Sequence, residues 1–252
     1  METAYDFDKA LEISKLAGKI MLYAGAETYR VEDTIIRVAS ACGMEADSYV
    51  TPTGFFITLH REKETESAIV RIKYRTIDLN KVSLVNGVSR DLSTGRINPD
   101  QALERLKEIA NLPSEYSQSF INISAGVASG GFAYLFGGNL FDVMAASLAG
   151  TLVNIAVNFF TKRQAVIFLA TFLAALVAGS TAVLSITIGL GTQLDKIIIG
   201  AIMPLLPGVV LTNAVRDMIA GDLVSGVARL AEALLIASAI AAGIIVILSM
   251  VI

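Results

Sequence analysis

From Ser119 onward the chain carries only ten charged side chains, eight of them in short breaks between five apolar runs: 120–136, 139–160, 165–190, 197–214 and 230–252. Each run is close to the ~20 residues a helix needs to cross a hydrocarbon core about 30 Å thick. The pattern predicts an all-α transmembrane bundle of about five helices over 119–252. Residues 1–118 are a different material. They hold 33 of the 43 Asp, Glu, Lys and Arg residues, 18 acidic and 15 basic, and so carry the whole net charge of −3. With 54% hydrophobic residues and a mean hydropathy of +0.63, the chain as a whole exceeds what a soluble core requires. Neither half has the basic excess of a nucleic-acid binder. A lone Cys42 and an acidic start without a basic leader place the first half in the cytosol, with no cleavable signal peptide.

Orientation follows from the short-loop cations. With the first half cytosolic, Lys162, Arg163, Arg216 and Arg229 share its side and Lys196 lies opposite. The N-terminus is then inside and the C-terminus outside, in a multi-pass protein of the cell membrane. A sixth, re-entrant segment would instead return the C-terminus to the cytosol. Gly126, Gly130, Ala146 and Gly150, at four-residue spacing, read as a face for close helix packing.

The fourth run is interrupted by Met203-Pro204-Leu205-Leu206-Pro207-Gly208. Proline removes a backbone donor and clashes with the preceding turn, so the helix breaks or kinks there. Non-helical backbone at membrane depth survives only when buried in protein or lining a wet cavity, and half-helix ends in transporters bind substrate groups. Asn213, Arg216 and Asp217 follow on the same helix. The expected substrate site therefore comprises Pro204, Pro207, Gly208, Asn213, Arg216 and Asp217. It is joined by Asn154 and Asn158, which share a face of the second run. The competing reading is a kink in a packed helix with Arg216 and Asp217 in headgroup water. Arg229 and Glu232, three apart, read as a local ion pair.

In the first half, apolar spacing predicts helices over 7–24, 27–41, 79–92 and 99–110, and strands over 47–51, 54–59 and 68–74. The order ααβββαα suggests an α+β domain with a small antiparallel sheet covered by helices. Glu27, Arg30, Glu32 and Asp33 crowd the start of the second helix. Asp78, Asn80, Asn86 and Arg90 run along the third, and both groups are candidates for a polar network. His60 reads as a solvated loop residue, which leaves a Ser-His-Asp site without a base. There is no phosphate-binding loop and no metal-ligand spacing, so no cofactor or metal is expected. A membrane-anchored enzyme acting through the soluble half is the competing function.

The segments Ala24-Gly25-Ala26-Glu27-Thr28-Tyr29-Arg30-Val31-Glu32-Asp33-Thr34, Thr51-Pro52-Thr53-Gly54-Phe55-Phe56, Asp78-Leu79-Asn80-Lys81-Val82 and Pro207-Gly208-Val209-Val210-Leu211-Thr212-Asn213-Ala214-Val215-Arg216-Asp217-Met218 resemble the threonine/serine exporter family. That resemblance implies a secondary exporter of a small amino acid, threonine or serine, or of a dicarboxylate such as succinate, driven by an ion gradient. It gives functional weight to Glu27, Arg30, Glu32, Asp33, Asp78, Asn80, Asn213, Arg216 and Asp217. A chain stopping at Ile252 resembles the larger subunit of the split, two-gene form, which implies a second integral membrane subunit of four to five helices.

Overall fold

The computed structural model describes residues 7–62, 64–113, 115–163 and 165–251. Contacts divide the chain into two units that are not the two halves of the sequence. One comprises Met1–Pro113 with Val210–Leu230, the other Ser114–Val209 with Ala231–Ile252.

The first unit begins with helices α1 (Phe7–Tyr23) and α2 (Thr28–Ala41), followed by strands β1 (Glu45–Thr51), β2 (Gly54–Arg61) and β3 (Glu64–Arg71), then α3 (Leu79–Ser93) and α4 (Pro99–Asn111). The sheet is antiparallel in the order β1-β2-β3. Alternation along β2 sends Phe55, Ile57 and Leu59 inward, where they meet Ile13 and Met21 of α1, Val31 and Ile35 of α2, Val85 of α3 and Leu106 of α4. The outward face carries Tyr49, Phe56 and Ile69 in one cross-strand row. The helices end where expected, because their signals are local. Asn98 and Gln101 form a reciprocal capping box at the start of α4, and Asp78 caps α3 through the Lys81 N–H.

The third strand departs from expectation: it runs from Glu64 to Arg71 rather than over 68–74. Its polar first half pairs with the end of β2, Glu64 opposite Arg61 and Thr65 opposite His60. Ladder hydrogen bonds there outweigh low strand propensity. His60 is accordingly a strand residue, near Asp47 and Thr65, and not a loop residue.

The second unit contains α5 (Gln118–Leu135), α6 (Leu140–Lys162), α7 (Ile167–Thr187), α8 (Leu194–Ile202) and a 3₁₀ turn at Met203–Leu205. Helix α9 (Gly208–Ala220) begins after an extended Leu206, and most of it belongs to the first unit. Helix α10 (Leu223–Leu248) starts in the first unit and continues in the second. Three helices, α6, α7 and α10, are long and apolar enough to cross a membrane, or four if the interrupted pair Leu194–Leu205 and Gly208–Ala220 counts as one span. The chain is a membrane protein. Helix α5 falls short of the expected count of about five by this measure, since Gln118, Ser119 and Asn122 occupy its first turns.

Packing in the second unit inverts the soluble pattern. Ala170, Ala174, Ala178 and Ala182 of α7 are buried, while Phe168, Leu169 and Leu184 are exposed. In lipid, large apolar side chains gain nothing by hiding, and close backbone approach supplies the packing energy. The α5–α6 pair shows this directly, because a methyl group at Gly130 would collide with Ser147 and one at Gly150 with Ser129.

Candidate functional site

The residues singled out in the sequence separate into two groups, one in each unit. In the first unit, the turn after α1 is shaped by Gly25, whose φ of +85° is accessible to glycine and whose added Cβ would stand 2.8 Å from the Thr76 carbonyl oxygen. This turn presents backbone groups to α9. Asn213 donates its Nδ2 to the Gly25 carbonyl at 2.9 Å. The Thr28 N–H donates to Asp217 Oδ1 at 3.0 Å, and Arg229 Nη2 donates to the Ala26 carbonyl at 2.8 Å.

Charged side chains surround that backbone. Glu27, at the N-cap of α2, is bound by two guanidinium groups, Arg216 at 2.6 Å on Oε1 and Arg30 at 3.2 Å on Oε2. Burial raises the Glu27 pKa, but its own backbone N–H, the Arg216 hydrogen bond and the charges of Arg30 and Arg216 outweigh it, holding the carboxyl below the usual range. Asp217 is fully buried, with Arg229 Nε 3.0 Å from its Oδ2. The contact is an ion pair out of line for a hydrogen bond, and Oδ2 accepts none among the described residues. Glu32 accepts the Val50 N–H at 2.8 Å, and the Thr28 hydroxyl donates to Asp222 at 3.4 Å. Burial pushes Glu32 up; the Val50 N–H opposes this and the charges of Asp222 and Asp217 add to it.

Arg229 is more than one end of a local pair at the surface. It is 2% exposed and sits at the centre of the cluster. Thr28, Asp222 and Ser225, whose hydroxyl donates to the Val50 carbonyl at 3.2 Å, were missed as site residues, and Arg229 was read only as a partner for Glu232. Asp33 stays apart, paired with Arg37 on the α2 surface. Asp78, Asn80, Asn86 and Arg90 do not join the cluster: Asp78 is spent on the α3 cap, Asn80 and Arg90 are exposed, and Asn86 is half-buried.

In the second unit, Asn154 Nδ2 donates to Asn122 Oδ1 at 2.7 Å, and Gln118 donates to the same oxygen at 3.2 Å. Asn158 Nδ2 is buried with no hydrogen-bond partner among the described residues. Pro204 and Gly208 are exposed and Pro207 half-buried at the break. The unit also holds Asp142, which the sequence reading passed over. It is fully buried at the start of α6 and accepts backbone N–H groups from Asn139, Thr192 and Gln193. The signal was present as a capping box, Asn139 to Asp142.

The ThrE family, described as "Putative threonine/serine exporter", matches residues 12–251. A protein of Mycobacterium tuberculosis named "Probable threonine/serine exporter" is 22% identical over 241 residues, covering 94% of this chain and 45% of that protein. An uncharacterized protein of Schizosaccharomyces pombe is 27% identical over 156 residues, 60% of this chain and 20% of its own length. The chain therefore spans less than half the length of the curated relatives it matches. No solved structure matches it.

Proposed function

We propose, on the premise that this chain belongs to the ThrE threonine/serine exporter family, that it is a subunit of a secondary exporter moving threonine or serine out of the cell, coupled to an ion gradient. The observation that carries the reading is the interrupted helix, with a half-exposed guanidinium, Arg216, shortly beyond Pro207 and Gly208. Arg216 spends one N–H on Glu27, and a guanidinium has five. The others are available to the carboxylate that every amino acid carries. Asn213 and Asp217 hold the helix that presents it. In the second unit, the polar faces of Asn154 and Asn158 and the break at Pro204, Pro207 and Gly208 are further candidate contacts for the solute.

In this reading α5, α6, α7, the α8–α9 pair and α10 make five spans of the cell membrane. The N-terminal domain is cytosolic, and a second small membrane subunit of four to five helices completes the transporter. The greater length of the Mycobacterium relative supports that division of labour. A dicarboxylate such as succinate is the second substrate class, since Arg216 would bind either carboxylate.

Efflux of labelled threonine, serine and succinate, from cells with and without the protein and its second subunit, tests the proposal. Faster threonine or serine efflux is expected, falling at least about ten-fold in Arg216→Ala with the loss of a charge-assisted hydrogen bond. Equal efflux from cells lacking the protein removes it.

A further inference from the structure

Between β3 and α3 the chain runs through residues 72–78 as an irregular strap, tied down at both ends by its backbone. The Ile72 N–H donates to the Thr53 carbonyl at 2.9 Å, and the Thr76 and Asp78 N–H groups donate to the Tyr23 and Ala24 carbonyls at 2.8 and 3.0 Å. Ile72 is buried in the core of the unit, while Arg71 and Lys73 on either side of it are exposed. Tyr74 is 68% exposed, Ile77 56% and Leu79 61%, values that leave these apolar side chains uncovered by the unit itself. From Arg71 to Lys81 there are four basic residues to one acid, in a half of the sequence that is otherwise acidic. That acid, Asp78, is turned to the Lys81 N–H. Arg71 and Lys73 have no carboxylate in ion-pair range among the described residues.

Each end of the strap is fixed beside a helix whose apolar part lies a short way off. The turn that holds Thr76 and Asp78 also accepts Asn213 of α9 on its Gly25 carbonyl, and Asn213 stands at the close of the apolar run 197–214. At the other end, Thr53 belongs to the hairpin after β1, where the Val50 carbonyl accepts the Ser225 hydroxyl of α10. Ser225 comes eight residues, about 12 Å of helix, before Ala233, where the uncharged stretch of α10 begins. A headgroup layer is about 5–8 Å deep, and Arg and Lys carry their charge outward on long stems. The strap is therefore held at the level where these helices meet headgroups. A tyrosine beside exposed cations is the combination that such a level favours.

We propose that residues 71–79 dock on anionic lipid headgroups of the membrane that α9 and α10 enter, with Arg71 and Lys73 on the lipid phosphates and Tyr74, Ile77 and Leu79 against the interface. The bond from Ile72 to Thr53 and the two from Thr76 and Asp78 hold the strap in place, so little ordering is needed when lipid binds. The first unit is then fastened to the bilayer by a surface contact as well as by its helices. This inference is independent of the solute and stands whatever the protein exports.

The sequence contains no tryptophan, so Tyr74→Trp gives the full chain a single fluorescent reporter in the strap. The variant is placed in nanodiscs holding one copy each, made of phosphatidylcholine alone or with phosphatidylglycerol added, with brominated acyl chains as the quencher. In the anionic discs the emission is expected to shift to the blue and to be quenched at least about two-fold more strongly, an effect that high salt weakens. Adding Arg71→Gln or Lys73→Gln should lower the lipid-bound population about five-fold each. Equal quenching in the two kinds of disc overturns the inference, as does quenching that neither charge change affects. A blue shift without quenching means that protein rather than lipid covers the strap, and overturns it as well. Should Tyr74→Trp fail to fold, hydrogen exchange of the 72–78 amides in the unaltered chain decides: slower exchange in the anionic discs is expected, and an unchanged rate overturns the inference.

Discussion

Asp142 and Asp217 are both fully buried aspartates at helix ends, yet their surroundings could hardly differ more. Asp142 faces no cation among the described residues and is saturated by neutral donors: three backbone N–H groups, the Thr192 hydroxyl and the Gln193 amide. Asp217 has one backbone N–H and a guanidinium that is close but misaligned. A carboxylate whose lone pairs are all occupied by fixed backbone is a staple, and it joins the start of α6 to the loop before α8. A carboxylate with an acceptor left unfilled beside a charged side chain is held less completely. The difference lies in satisfaction, not in burial.

The largest expected effect comes from removing the counter-charge. Arg229→Ala leaves Asp217 buried and uncompensated and should cost about 3–5 kcal/mol in chemical unfolding of the detergent-solubilised protein. Adding Asp217→Asn should recover a substantial part. Full additivity of the two changes would mean that the ion pair is not what matters. For Asp142→Asn the expected loss is smaller, about 2 kcal/mol, because the new amide places its own donors against the Thr192 and Gln193 N–H groups. Substrate preference should stay unchanged, and a shifted preference would break the distinction between staple and site.

Acidity sharpens the comparison inside the first unit. The Glu27 pKa is lowered on folding, so its stabilising contribution is present above the unfolded value and is lost as the pH falls through the folded one. Glu32 has the opposite sign. Its folded pKa is raised, so its charge costs stability above the folded value and protonation relieves the folded state as the pH falls. Mild acidification should therefore stabilise the unit through Glu32 before stronger acidification destabilises it through Glu27, with Asp217, Asp222 and the Val50 N–H as the groups facing Glu32. Melting temperature across the acid range, in the wild type and in Glu32→Gln, checks the order.

Smaller effects belong to the amides and the surface. Asn154→Ala should cost about 1 kcal/mol by stranding Asn122, whereas Asn158→Leu should be neutral or stabilising because its amide nitrogen is buried without a partner. A loss of transport with stability intact in Asn158→Leu would place that residue on the solute path. The exposed Asp33–Arg37 pair is worth least, about 0.3 kcal/mol in Asp33→Ala by thermal melting.

What could be read in advance follows the same physics. Helix positions were legible because caps such as Asn98 and periodic apolar faces are written within a few neighbours. The Pro204–Gly208 interruption was legible for the same reason. β3 was misplaced because Glu64 to Ser67 look like a solvated loop until β2 supplies their ladder. The cluster around Asp217 was half visible. Glu27, Arg30, Glu32, Asn213, Arg216 and Asp217 stood out individually, but their contacts span 188 to 203 positions for the pairs Asn213–Gly25 and Arg229–Ala26. No local pattern reports such pairings, and the three-residue spacing of Arg229 and Glu232 says nothing of Asp217 or Ala26.

The discontinuity of the first unit sets the timetable of synthesis. Its last pieces, residues 210–230, leave the ribosome only after α5 to α8. Until then Glu27 lacks Arg216, and the Gly25 and Ala26 carbonyls lack Asn213 and Arg229. The N-terminal segment must therefore wait, incompletely closed, through most of translation. The charged cluster closes only after most of the second unit has been synthesised.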